Sequence, residues 1–229
     1  MLDFKIPETS LTEKLKSADE PIVLYGTGNG ADKIFRLFEK ENITVSGVAA
    51  SDGFVRNRSF HGFAVKPISY FESVYSSFTV VVGFGSSRPE VMGNIRAVAS
   101  RHNLLVACVP VIGEDNIDRA FLYENEEKLN TAYRLLDDNR SKDVFAGYIG
   151  FQFSGELPIL DSITTDEDEA WSSLSLGAGE TFVDIGAYRG DTVEKFLSFC
   201  GGDHSHIFAV EPDKKNFEKL TAFLNQIRN

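Results

Sequence analysis

Acidic residues and glycines occur together near the C-terminus, in residues 180–191, which read ETFVDIGAYRGD. Asp184 lies in an apolar run of strand length, and Asp191 begins a segment with helical periodicity. Between them, Gly186 and Gly190 let the backbone approach a ligand where a Cβ would occupy the ligand's volume. Carboxylates beside such a turn favour a cation, because a pyrophosphate would be bound by bare amides instead. The pattern predicts a site for a cofactor that carries ammonium and sulfonium groups.

A second apolar run, residues 206–210, ends in the segment Glu211, Pro212 and Asp213. Glu211 follows Gly190 by 21 residues, close to the interval of about 20 at which an acid binds ribose hydroxyls in nucleotide sites. We therefore expect Glu211 to accept hydrogen bonds from a ribose. The alternative is that the acids at the turn only cap a helix and that Glu211 is an ordinary acid at a strand end.

Both segments resemble the FkbM-type methyltransferases, a family of class I enzymes that use S-adenosylmethionine. The resemblance implies transfer of a methyl group to a hydroxyl of a sugar or another small acceptor. It also implies that Asp184, Gly186 and Gly190 line the methionine end of S-adenosylmethionine, and that Glu211 holds its ribose. The likeness is carried by residues 182–192, 208–213 and 216–220, with an approach segment around residues 141–145. The residues expected to bind the cofactor are Asp184, Gly186, Ala187, Tyr188, Gly190, Asp191, Glu211, Pro212 and Asp213.

Two large side chains, Tyr188 and Arg189, lie between the two glycines. They could contact the cofactor, although side chains in such turns often point to solvent. No residue of the sequence can be assigned as a general base, so the catalytic residues stay open.

The family's sheet has more strands than the two that residues 178–229 supply. We therefore expect a shortened methyltransferase unit whose sheet edge is bare. Such a unit would dock on the N-terminal domain or on another copy of the chain, and the second case predicts a homo-oligomer through the incomplete C-terminal sheet.

A further glycine turn lies near the N-terminus, where residues 26–31 read GTGNGA and fit the pattern G-x-G-x-x-G/A. It follows one predicted strand, and Asp52 is placed at the end of the next, where an acid can bind ribose. The pattern predicts a nucleotide, nucleotide-sugar or dinucleotide site, with an assembly role without ligand as the alternative. The residues of this second site are Gly26, Gly28, Gly30 and Asp52.

Three functions are therefore open. The first is an S-adenosylmethionine-dependent methyltransferase. The second is a nucleotide-binding or nucleotide-sugar-binding assembly module that lacks catalysis in its shortened form. The third, an NAD-dependent oxidoreductase that uses the N-terminal turn, is least supported because no proton donor or hydride-acceptor site can be identified.

Apolar runs of strand length alternate with segments of helical periodicity, which is typical of an α/β protein with a parallel sheet covered by helices. We expect a Rossmann-like domain over residues 1–120, a helical and acidic linker over 121–177, and a partial second Rossmann-like unit over 178–229. The predicted strands of the first domain are residues 22–25, 45–50, 79–83 and 104–111.

The local pattern also predicts two helices in residues 124–150 and a solvated loop or short helix in the acidic stretch 156–169. Another helix is expected to begin at Pro89. Ser86 and Ser87, which precede it, either cap this helix or donate to a ligand at the end of the preceding strand.

Charge and composition exclude several classes of binding partner. With 23 Lys and Arg against 34 Asp and Glu, the formal net charge is −11, and such a surface repels nucleic acid and anionic lipid. No apolar run reaches the roughly 20 residues that cross a bilayer, and the first residues lack a signal-peptide pattern. We predict a cytoplasmic protein that acts on a small-molecule or saccharide acceptor, without nucleic acid or membrane partners. Cys108, Cys200, His61 and His102 lack metal-ligand spacing, and no metal is expected.

Overall fold

The computed structural model describes residues 1–55, 58–108 and 116–227, which form two compact units, Met1–Thr164 and Thr165–Asn229. None of the helices in this described part has the length and apolar character needed to span a bilayer. In chain order, the first unit contains α1 (Leu11–Lys16), β1 (Ile22–Tyr25), α2 (Asn29–Lys40), β2 (Gly47–Ala50), a 3-10 turn (Asp52–Phe54), β3 (Ser59–Phe60), β4 (Phe63–Ala64), β5 (Lys66–Pro67), α3 (Ile68–Val74), β6 (Thr79–Val82), α4 (Pro89–Ala99), β7 (Asn103–Val106), α5 (Arg119–Glu124), α6 (Glu126–Leu135), α7 (Asn139–Ser154) and α8 (Leu157–Ile163). The second unit contains α9 (Glu167–Ser173), β8 (Thr181–Ile185), α10 (Asp191–Phe199), β9 (His206–Val210) and α11 (Lys214–Ile227).

The first unit is built on a five-stranded parallel sheet with the strand order β5-β2-β1-β6-β7. Helices cover both faces of this sheet, and its central strands are therefore apolar on both sides. Val23, Val48 and Val80 of these strands are fully buried. The chain crosses from one side of β1 to the other between β2 and β6, which makes the carboxyl ends of β1 and β6 the switch point of the sheet. The predicted α/β class with a Rossmann-like parallel sheet is confirmed.

Strand boundaries differ from the predicted ones by a few residues. The strand predicted over 45–50 begins at Gly47, and the strand predicted over 79–83 ends at Val82. The strand predicted over 104–111 ends at Val106, and its residues 109–111 lie outside the described part of the chain. The sequence did not predict β5, because its two residues, one of them Pro67, carry too little apolar pattern.

The helices of the predicted linker divide between the two units. Helices α5 to α8 belong to the first unit and α9 to the second. Asp138 caps α7 by accepting a hydrogen bond from the Ser141 N–H at 2.8 Å, and Gly155, with a φ of 72°, ends it. The acidic stretch 156–169 is not a solvated segment throughout, because Leu157 of α8 packs into the core of the first unit.

The second unit contains one pair of parallel strands, β8 and β9, in register from Thr181–His206 to Ile185–Val210. Helix α10 covers one face of the pair, where the ring of Phe196 stacks on Phe182 with 4.4 Å between centroids. In α11, Leu220 is buried, whereas Phe217 and Ile227 are exposed. The other face of the strand pair exposes the apolar side chains of Val183, Ile185, Phe208 and Val210.

Candidate functional site

The C-terminal site lies where β8 and β9 end side by side. The backbone N–H groups of Gly186 and Ala187 both donate to the carbonyl oxygen of Val210, at 2.8 and 3.0 Å. These two bonds attach the turn after β8 to the last residue of β9. They bring the predicted glycine turn and Glu211 to the same edge of the sheet.

The side chain of Glu211 is held by the backbone. Its Oε2 accepts a hydrogen bond from the Tyr188 N–H, and its Oε1 accepts one from the Asp213 N–H, both at 2.8 Å. A carboxylate has about four lone-pair positions. Each oxygen of Glu211 therefore keeps capacity for one more donor, such as a ribose hydroxyl.

Asp184 carries an unsatisfied acceptor. Its Oδ2 is buried and has no hydrogen-bond partner among the described residues. Burial raises the pKa of Asp184 above its ordinary value, and the nearby carboxylate of Asp191 raises this pKa further. A buried acceptor without a donor costs free energy, and a cationic ligand would supply both a donor and a compensating charge. The acids at this turn therefore fit the ammonium end of S-adenosylmethionine.

The two glycines of the turn have different surroundings. Both have a left-handed backbone, with φ of 92° at Gly186 and 95° at Gly190. A Cβ at Gly186 would meet no atom within 4 Å, whereas a Cβ at Gly190 would overlap the ring of Phe223. The space at Gly186 is open to a ligand, and the need for glycine at position 190 has a packing cause. Phe223 was missed in the sequence, although it lies three residues after Leu220 on the same helix.

The remaining acids of the site serve different purposes. Asp191 is exposed and occupies the first turn of α10, where a carboxylate is favoured by the helix dipole. Asp213 caps α11, because its Oδ1 accepts a hydrogen bond from the Asn216 N–H at 2.9 Å. Pro212 between the strand end and this cap is exposed. Asp213 therefore caps a helix, whereas Asp184 lies inside β8.

The N-terminal glycine turn is partly closed by an aromatic ring. Gly26 has a φ of 127°, and a Cβ there would lie 2.8 Å from the Cδ1 atom of Phe84. Gly28 is the N-cap of α2, and Gly30 is the second residue of that helix. The glycine at position 26 therefore has a packing cause in Phe84, and a nucleotide contact by this turn stays a prediction.

Asp52, expected at a strand end, belongs to a 3-10 turn beyond β2. Its Oδ1 accepts a hydrogen bond from the Ser69 N–H in α3 at 3.4 Å. A basic side chain reaches the glycine turn, because the guanidinium of Arg58 donates to the hydroxyl of Thr27. Arg58 carries no sequence signal, because it reaches the turn from a segment 31 residues later.

Neither Ser86 nor Ser87 caps α4, so the prediction that one of them caps this helix is wrong. The N-cap of α4 is Arg88, without a side-chain capping bond, and Ser86 Oγ accepts a hydrogen bond from the Arg88 N–H at 3.2 Å. Ser86 lines a mainly apolar cavity of about 370 Å³ at the carboxyl ends of β6 and β7. A ligand contact by Ser86 therefore stays a prediction.

The two isolated histidines form single hydrogen bonds with acids. His61 Nε2 lies 2.8 Å from Asp32, and His102 Nε2 lies 3.0 Å from Glu72. Burial raises the pKa of the Cys108 thiol to about 12, which keeps it protonated and unreactive near neutral pH. Over residues 1–55, 58–108 and 116–227, no three His, Cys, Asp or Glu side chains are grouped as metal ligands.

No protein-family model matches the sequence, and no curated protein matches it. Among solved structures, the chain is similar to methyltransferase FkbM from Methylobacillus flagellatus KT, with a TM-score of 0.61 and 15% sequence identity. The alignment covers 98% of this chain and 64% of the methyltransferase chain, so this protein spans less than two thirds of that neighbour's length. At this identity the likeness shows the fold, and it confirms the FkbM-type fold that the sequence motifs predicted.

Proposed function

We propose that the second unit binds S-adenosylmethionine and that the protein is a methyltransferase acting on a hydroxyl of a sugar or another small acceptor. The observation that carries the proposal is the buried Oδ2 of Asp184, which has no hydrogen-bond partner among the described residues and lies in the strand before the open turn at Gly186. The fixed carboxylate of Glu211 at the neighbouring strand end supports it. The fold shared with a solved methyltransferase supports it as well.

In this proposal the residues of the chain bind and orient the two ends of the cofactor. Asp184 and Asp191 compensate the charge of the methionine ammonium, and Glu211 accepts hydrogen bonds from the ribose. S-adenosylmethionine supplies a methyl group that its sulfonium makes electrophilic. Methyl transfer of this kind depends on holding donor and acceptor in contact, so the fixed backbone of the turn is the main contribution of this unit.

Calorimetry with S-adenosylmethionine, NAD and a UDP-sugar tests the proposal, because each function class requires a different ligand. We expect heat of binding with S-adenosylmethionine and a loss of that heat in Asp184→Asn. The matched control is Asp203→Asn, which removes one exposed acid of the same unit away from the turn. Binding of NAD or the UDP-sugar without binding of S-adenosylmethionine would overturn the proposal.

The acceptor class rests on the resemblance alone, so it needs a separate experiment. Transfer of a labelled methyl group from S-adenosylmethionine to a panel of sugars, hydroxylated small molecules and amines should label a hydroxyl. Labelling of an amine alone would restrict the proposal to methyl transfer without the hydroxyl acceptor.

A second candidate function is nucleotide-sugar binding by the first unit. Arg58 favours it, because its guanidinium lies on Thr27 at the start of α2, where helix amides and a cation attract phosphate. Calorimetry with a UDP-sugar should then show weaker binding in Arg58→Gln than in Lys40→Gln, an exposed cation at the other end of α2. Equal affinities in both variants would remove this candidate.

A further inference from the structure

Tyr188, in the middle of the C-terminal turn, has a strained backbone. Its φ of 48° is left-handed, a conformation that is unfavourable for a residue with a Cβ. The hydrogen bond from its N–H to Glu211 holds this conformation. The turn therefore presents the residue pair Tyr188 and Arg189 in one fixed backbone arrangement.

The side chain of Arg189 stacks on its neighbour. The guanidinium carbon lies 4.8 Å from the centroid of the Tyr188 ring, a distance typical of a cation–π contact. Arg189 is exposed, and within the described part of the chain it forms no ion pair, although the turn is rich in acids. The guanidinium is thus oriented by an aromatic face and available to an external anion.

The methionine end of S-adenosylmethionine is a zwitterion. The acids of the turn suit its ammonium, but the same acids repel its carboxylate, which therefore needs a cation close by. Arg189 is the basic residue of the segment 184–191, and guanidinium binds carboxylate through two parallel hydrogen bonds.

We infer that Arg189 binds the carboxylate of the methionine end of S-adenosylmethionine, with Tyr188 holding the guanidinium in place. The inference rests on the proposed function and adds a residue to the same site. Each group of the zwitterion then has a partner of opposite charge. Asp184 and Asp191 bind the ammonium, and Arg189 binds the carboxylate.

Binding of two ligands that differ only in this carboxylate tests the assignment. Calorimetry on the full chain compares S-adenosylmethionine with decarboxylated S-adenosylmethionine, for wild type and for Arg189→Gln. We expect Arg189→Gln to weaken binding of S-adenosylmethionine about tenfold or more. Binding of the decarboxylated ligand should change less than twofold, because it carries no group for Arg189 to hold.

Two variants serve as controls. Lys219→Gln removes an exposed cation of α11 from the same unit and should leave both affinities unchanged. Lys215→Gln tests a second cation, which follows the end of β9. If Lys215→Gln and not Arg189→Gln weakened the binding of S-adenosylmethionine alone, the inference would be overturned.

Failure of the inference is distinct from failure of the proposed function. If Arg189→Gln weakens the binding of both ligands equally, or of neither, Arg189 does not bind the carboxylate. The cofactor proposal then still stands. If wild type binds neither ligand, the proposed function itself is wrong. Thermal melts followed by fluorescence of Trp171, the one tryptophan of the sequence, verify that each variant folds.

Discussion

The backbone N–H of Tyr188 donates a hydrogen bond to the carboxylate of Glu211, with 2.8 Å between nitrogen and Oε2. The two residues are 23 positions apart, and the bond joins the turn after β8 to the end of β9. The two motifs recognised separately in the sequence thereby become one structural unit. The position of the Glu211 carboxylate and the conformation of the glycine turn therefore depend on each other.

Replacing Glu211 should lower the stability of the glycine turn and the affinity for S-adenosylmethionine. Glu211→Ala leaves two backbone N–H groups without acceptors and removes the predicted ribose contact, so we expect affinity to fall by roughly 1.5 to 3 kcal/mol. Glu211→Gln keeps one acceptor oxygen and should lose less. Calorimetry measures the affinities, and Trp171 fluorescence reports folding. Unchanged affinity in folded Glu211→Ala would show that this acid does not contact the cofactor.

The two glycines of the turn should separate stability from binding. Gly190→Ala places a Cβ against the ring of Phe223 and should lower the free energy of unfolding by roughly 1 to 3 kcal/mol. Gly186→Ala meets no neighbouring atom, so it should cost only the left-handed backbone penalty, about 1 kcal/mol, while blocking the cofactor space.

Urea denaturation and calorimetry on both variants check this separation. The double variant Gly190→Ala with Phe223→Leu should recover part of the lost stability, since the shorter side chain makes room for the new methyl group. Full affinity in Gly186→Ala would mean that the cofactor does not approach this part of the backbone.

Asp184 should make the stability of the ligand-free protein depend on pH. Because its pKa in the folded protein is raised above the ordinary value of 3.8, ionisation costs stability, and this cost grows as pH rises through the folded pKa. Asp184→Asn removes the cost, so its melting temperature should exceed that of wild type at pH 7. The difference should shrink as the pH falls below the ordinary value, where Asp184 is protonated in both folded and unfolded chains.

Saturating S-adenosylmethionine should reverse this order at pH 7, because the ammonium compensates the carboxylate of wild type and finds none in Asp184→Asn. Thermal melts at pH 3 and pH 7, with and without the cofactor, compare wild type with Asp184→Asn below and above the ordinary pKa of the carboxyl. A wild type that is more stable than Asp184→Asn at pH 7 without cofactor would contradict the assigned desolvation of Asp184.

The sequence predicted those features that depend on local pattern. Apolar runs and helical periodicity located β1, β6 and α4, and the interval from Gly190 to Glu211 placed the glycine turn and the acid after neighbouring strands. Local pattern does not reveal which side chain fills a space from elsewhere in the chain. For that reason the sequence did not show that Phe84, far along the chain, packs against Gly26.

The acidic stretch 156–169 contains contacts that its composition does not indicate. Its charges predict a solvated loop or short helix, and α8 is a short helix, but Leu157 and Leu160 pack into the core of the first unit. Pairing of Arg58 with Thr27 is likewise a contact between distant residues. Such contacts follow from the tertiary fold, and no window of the sequence contains them.

The bare face of the β8–β9 pair should drive self-association. Ile185 is 83% exposed and Phe208 55% exposed, and among the described residues β8 and β9 pair only with each other. An apolar sheet face with free edges favours contact with a second copy. We expect sedimentation velocity to show association that increases with protein concentration. It should also increase with salt, which screens the repulsion between chains of net charge −11.

Ile185→Lys should shift this equilibrium towards the monomer, because it places a charge in the centre of the apolar face. Tyr123→Lys is the matched control, since Tyr123 is 82% exposed and belongs to the first unit. Equal association of both variants would place the contact elsewhere, and a wild-type monomer at all concentrations would exclude self-association through this sheet. Reduced association in Ile185→Lys alone would instead make the sheet face the contact surface, since the two variants add the same charge.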